Sequence, residues 1–150
     1  METKKIAQLI DIDFHDSHTT KIDFNDYKFT LEFDYICSES EKESSNRNKK
    51  CQLTLVLSKV YLSDAIDDAV CLIQTKNRKL KLEKFLKYYS LFDFVKYLKE
   101  NDGNLQIYNI YFKPSGCMIL AELMLQGKWI AGNWIAIELK IEEVYYKWLS

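Results

Sequence analysis

From Ile135 to Glu142 apolar and polar residues alternate without a break, with Ile135, Ile137, Leu139 and Ile141 set against Ala136, Glu138, Lys140 and Glu142. A period of two places one set on each face of a pleated strand, so this stretch needs a sheet with one face covered and the other wet. The same signal recurs upstream. Phe29, Leu31, Phe33 and Tyr35 alternate with Thr30, Glu32 and Asp34, and Ile22 and Phe24 precede them across an Asn25-Asp26 turn signal, which predicts a half-buried hairpin. Leu53, Leu55 and Leu57 share one face of a further strand over Gln52 to Lys59. Leu105 to Phe112 and Met118 to Leu125 flank Lys113-Pro114-Ser115-Gly116, where Pro presets φ at the second turn position and Gly accepts positive φ, giving another hairpin. Gly127 and Gly132-Asn133 punctuate the chain before Ile135.

One segment reads differently. Leu82, Phe85, Leu86, Tyr89, Phe92 and Val95 recur at spacings of three and four, with most lysines off that stripe, and Asn101-Asp102-Gly103 offers a left-handed stop. This predicts an amphipathic helix over about 82–100 whose stripe faces the core. Ser63 with Asp64, Asp67 and Asp68 suits a second helix start, and 64–73 is open between a helix and an irregular connection. The expected fold is α+β: a mostly antiparallel β-sheet with one helix packed on one face. At 150 residues, 47% hydrophobic and 29% charged, the chain has material for one core and is expected to form a single domain over 1–150. Residues 38–50 contain no apolar side chain and predict a mobile polar loop.

The charge distribution is uneven. Ten acids face three lysines between Asp11 and Glu43, net −7, whereas twelve Lys and Arg face six acids between Ser44 and Glu100, net +6. Asp23, Asp26, Glu32, Asp34, Glu39, Glu41 and Glu43 would form an acidic face able to steer a basic protein partner. The basic cluster from Lys76 to Lys87 is interleaved with core-type residues and the pI is near 6.1, so nucleic acid is not the expected ligand. Trp129, Trp134 and Trp148 crowd the final third; tryptophan and tyrosine are enriched where proteins grip one another, although most aromatics serve a core. The opening residues lack a cleavable apolar leader, and Cys117 to Ile141 is interrupted by Glu122, Gln126, Lys128, Asn133 and Glu138, so a cytoplasmic protein outside the membrane is expected.

Candidate chemistry is sparse. His15, Asp16 and His18 hold both imidazoles of the chain and are the first metal-ligand candidates, but residues three apart on a strand point to opposite faces, and a turn in which Asp16 and Ser17 bond nearby backbone N–H groups is the favoured account. Ser17 has no nucleophile-elbow context. The glycines match no phosphate-binding loop, so no cofactor is expected. Cys37, Cys51, Cys71 and Cys117 show no C-x-x-C spacing and read as reduced, buried thiols; Cys37 and Cys51 flank the polar loop and would face each other across a hairpin if the compartment oxidised them.

The run Phe14-His15-Asp16-Ser17-His18-Thr19-Thr20-Lys21-Ile22, followed by a strand pair and a closing alternating strand, resembles a group of small bacterial proteins that open with a His-Asp-Ser run, several of which look like immunity proteins of polymorphic toxin systems. The resemblance implies a non-enzymatic partner-binding protein, its partner a basic toxin domain, and carries no functional residues with it. A metal-binding protein or metal-dependent enzyme built on His15, Asp16 and His18, and a ligand-binding β domain with a concave pocket, are the alternative readings.

Overall fold

The computed structural model describes residues 2–3, 12–34, 37–38, 50–59, 69–78, 81–114 and 116–149. The alternating C-terminal run belongs to one very long strand, β11 (Lys128–Leu149), and the rest of the sheet is assembled on its two edges. β7 (Val70–Arg78) pairs with its first half and β6 (Lys50–Leu57) with its second. Both lie on the same edge, since Glu138 N donates to Ala69 O and Ser58 N to Lys140 O, each at 2.9 Å, from positions of equal parity on β11. On the other edge come β10 (Gly116–Leu125) and then β1 (Glu2–Thr3). β9 (Gly103–Lys113) hairpins onto β10, β3 (Thr19–Asn25) and β4 (Lys28–Phe33) extend the sheet from β6, and β8 (Lys81–Tyr89) hairpins onto β7. β2 (Ile12–Asp13) and β5 (Cys37–Ser38) form a small separate pair. All pairings are antiparallel, and with the single described helix the fold is α+β.

The path β3-β4-β6-β11-β10-β9 curls until its ends meet. An antiparallel bridge joins His18 to Gln106, Asp16 N donates to Ile107 O at 2.9 Å, and Ile107 N donates to Ser17 O at 2.8 Å. The contact is short. Beyond Thr19 the two edge strands part, and α1 (Leu91–Glu100) packs against both. Its buried face, Leu91, Phe94, Val95 and Leu98, stands where further ladder would otherwise have closed the wall. Phe29, Leu31, Phe33, Leu53, Leu55 and Leu57 point into the enclosed core and are fully buried, as the period-two reading requires. Phe14 plugs the seam end with its ring centroid 5.4 Å from that of Phe33.

Several expectations are corrected. The helix is half the expected length: Lys81–Tyr89 is strand, and the helix begins at Leu91 because Ser90 caps it, its Oγ accepting from Asp93 N at 3.1 Å. The stripe therefore has a different phase, with Leu86 and Phe92 exposed and Leu91, Phe94 and Leu98 buried. A helical reading of 64–73 fails from Val70, where β7 starts, while Asp64, Asp67 and Asp68 lie outside the described residues. The first hairpin turns at Asp26 and Tyr27 (φ 52° and 60°), one residue later than expected, in the left-handed pair of conformations that matches strand twist. Gly132-Asn133 does not break the chain; β11 runs through it, with an irregularity in its register against β10 between the Trp134 and Trp129 pairings. Of the polar loop, residues 39–49 lie outside the described residues, as does Tyr35. Among the described residues no helix is long and apolar enough to cross a membrane.

Candidate functional site

The outer surface of the sheet is split along β11. Over its second half the face is polar, in rows set by the register: Lys28, Val56 and Glu143; Thr30, Thr54 and Tyr145; Glu32, Gln52 and Lys147. Tyr145 OH donates to Glu143, which raises the phenol above its ordinary value, chiefly through that bond. Over its first half the outer face is apolar. One row runs Gln106, Glu122, Trp134, Ile73, Leu86, and a neighbouring one Asn109, Leu120, Ala136, Cys71, Tyr88. The residues between them, such as Ala121 and Ile135, are buried in the core.

Large apolar side chains are consequently left in solvent. Leu86 and Tyr88 are 57% exposed, Tyr108 49% and Tyr111 44%. Tyr108 sits where the β9–β10 register slips, and its ring meets that of Trp134 edge-on with centroids 6.0 Å apart, bridging the width of β10. His15 completes the ladder, its ring edge-on to Tyr108 at 5.3 Å and its Nδ1 donating to Tyr108 O at 2.7 Å.

The structure separates the expected metal candidates. Residues 14–18 form a turn, with Asp16 left-handed (φ 62°) and Ser17 1% exposed; Ser17 N donates to Phe14 O at 3.0 Å within it, and the Asp16 and Ser17 backbone bonds to Ile107 tie it to β9. His15 turns to Tyr108 and lies 3.4 Å from Asp16, whereas His18 lies 4.0 Å from Asp34, whose other oxygen accepts from His18 N at 3.3 Å. Among the described residues no three His, Cys, Asp or Glu side chains gather as an ion would require.

The acidic candidates are occupied within the molecule. Lys99 Nζ donates to Asp23 and holds its carboxyl below the usual range, and Gln52 Nε2 donates to Glu32 Oε1 at 2.9 Å. Asp34 serves the His18 segment, Asp26 occupies the hairpin turn, and Glu39, Glu41 and Glu43 lie outside the described residues. The Cys37–Cys51 pairing also rests on a side chain, that of Cys37, outside them. Burial pushes the Cys117 thiol up to about 12, so it supplies no thiolate nucleophile near neutrality.

A cavity of about 210 Å³ opens between the β7–β8 hairpin and α1, lined by Leu72, Gln74, Tyr89, Phe94, Tyr97 and Leu123. Gln74 is held there by its amide, which donates to Asn133 Oδ1 at 3.0 Å. The apolar face carried a legible signal: Cys117 to Leu125 is apolar on both faces save for Glu122, the pattern of a strand with no wet side. In comparisons with protein-family models, curated proteins and solved structures, the chain matches none of them.

Proposed function

We propose that this protein works by binding another protein, without chemistry of its own, through the outer face of β9, β10, the first half of β11, β7 and β8. The supporting observation is the contrast along a single strand. The polar second half of β11 shows what this sheet presents to water, and the aromatic and aliphatic first half departs from it over a contiguous area. Such patches on soluble proteins mark interaction sites, and Tyr and Trp supply contact area at low conformational cost. The row continues through the Gln106–His18 bridge to Asp34, so a polar rim borders the apolar face on that side. This fits a cytoplasmic immunity protein of the kind the opening segment resembles, its partner a basic toxin domain. Co-expression with the product of the adjacent gene tests it: a complex stable in size-exclusion chromatography is expected, lost in Tyr108→Ser/Leu86→Ser. No complex, one indifferent to that pair, or turnover by the isolated protein would count against it.

The 210 Å³ cavity favours a second reading, a small-molecule binder. Its apolar walls and single amide suit one aromatic ring bearing a polar substituent. Thermal shift with indole and p-cresol, repeated on Leu123→Phe, separates the readings; no shift with either compound removes the second.

A further inference from the structure

We propose that Glu122 is the recognition point of the apolar face and that it takes an arginine side chain of the protein partner. This rests on the docking reading above and specifies it.

Glu122 stands in the middle of its row, directly opposite Gln106 on β9 and Trp134 on β11. The Tyr108 and Trp134 rings, which belong to the strands on either side of β10, come together across that strand beside it. Other outward carboxylates of the sheet are compensated inside the molecule: Asp23 by Lys99, Glu32 by Gln52, and Glu138 by Lys113 at 3.3 Å. Glu122 has no such group among the described residues. Its carboxyl is raised above the ordinary value by desolvation alone, with nothing opposing it.

A carboxylate flanked by aromatic rings in an apolar field is costly by itself and selective once answered. The group that answers it must carry positive charge, donate hydrogen bonds in the carboxylate plane, and tolerate aromatic faces beside it. Guanidinium meets all three conditions, because it is planar, weakly hydrated, forks onto a carboxylate and stacks on rings; an ammonium meets only the first fully. Glu122, partly desolvated in the free protein and wholly so under a partner, therefore discriminates partners, rejecting apolar surfaces that would bury it unpaired.

Selection of a random dodecapeptide phage library on the immobilised full-length protein, followed by fluorescence anisotropy with the selected peptides, tests this. Enrichment of sequences with an arginine flanked by aromatic or aliphatic residues is expected. Glu122→Gln, nearly isosteric and at an outward position, should weaken those peptides about tenfold or more with an unchanged melting temperature. Replacing the peptide arginine by lysine should weaken binding to the natural protein and matter less in Glu122→Gln. Glu122→Lys should select acidic peptides instead. Enriched peptides that lack arginine, or arginine peptides that bind Glu122→Gln equally well, overturn the role of Glu122 while leaving the docking face intact. Peptides that survive Tyr108→Ala/Trp134→Ala, or no enrichment at all, overturn the docking face and this inference with it.

Discussion

The hydroxyl of Thr19 accepts the Leu105 amide at 2.8 Å and donates to Asn104 Oδ1 at 3.0 Å, so one side chain joins β3 to β9 where the backbone ladder between them ends. Thr19 is buried, and the amide it satisfies belongs to a fully buried residue. Thr19→Val keeps the shape and removes both bonds, leaving the Leu105 N–H in the dry seam. A loss of about 1–3 kcal/mol in urea unfolding is expected, with Thr19→Ser retaining most of the stability. Equal stability of Thr19→Val and the natural protein would show that the seam is held from elsewhere.

Helix α1 crosses the gap that opens beyond that seam, and Lys99 ties its last turn to Asp23 on β3. The Asp23 carboxyl lies below its ordinary value of 3.8 because Lys99 donates to it, with the lysine's charge adding to the effect against the cost of burial. A carboxyl lowered in the folded state binds its proton more readily when unfolded. Its contribution is therefore complete above the ordinary value and disappears as pH falls through the lower, folded one. Both partners are more than a third exposed, so screening limits the contribution to about 1 kcal/mol or less. In urea titrations between pH 6 and pH 2, Lys99→Met should flatten the acid limb slightly and 1 M NaCl should do the same to the natural protein. A steeper acid limb in Lys99→Met would reverse the assignment.

The boundary between β8 and α1 depends on Ser90. Ser90→Ala leaves Asp93 N without its acceptor at the N-terminus of a helix only ten residues long, and about 1 kcal/mol of stability should be lost, restored by Ser90→Asp. If Ser90→Ala is neutral in chemical denaturation, burial of Leu91 and Phe94 alone places the helix start.

That same residue shows where a reading of the chain alone succeeds and where it fails. Strands with one wet face announce themselves: Phe29, Leu31 and Phe33, or Leu53, Leu55 and Leu57, need only period two, and the β9–β10 hairpin needs only Pro114 and Gly116. β8 violates the rule behind those successes. Its Leu86 and Tyr88 lie on an exposed apolar face rather than in the core, so counting apolar residues at three- and four-residue spacing extends the helix backwards over a strand. The local pair Ser90 and Asp93, three apart, carried the corrective signal. Long-range pairing is not written locally at all. Asp23 finds Lys99 across 76 positions of chain, and an acidic surface inferred from composition is in part an internal ion pair. The aromatic ladder from His15 through Tyr108 to Trp134 likewise exists only after three distant segments are placed in register.

If the exposed apolar face is the proposed docking surface, its residues should be expendable to the fold, unlike those of the core beneath it. Leu86 and Tyr88 project from β8 while Leu55 and Ile137, of similar size and polarity to Leu86, are fully buried. Leu55→Ala removes packed methyl groups and should cost about 2–5 kcal/mol in urea unfolding. Leu86→Thr, β-branched and placed on the outer side of a strand, should change stability by about 0.5 kcal/mol or less while lowering the fluorescence of a bound apolar dye. The dye arm matters because a mere surface role predicts neutrality without it. If Leu86→Thr costs as much as Leu55→Ala, the β8 face is packed against something in the free protein, and the apolar surface proposed for a partner is part of the fold itself.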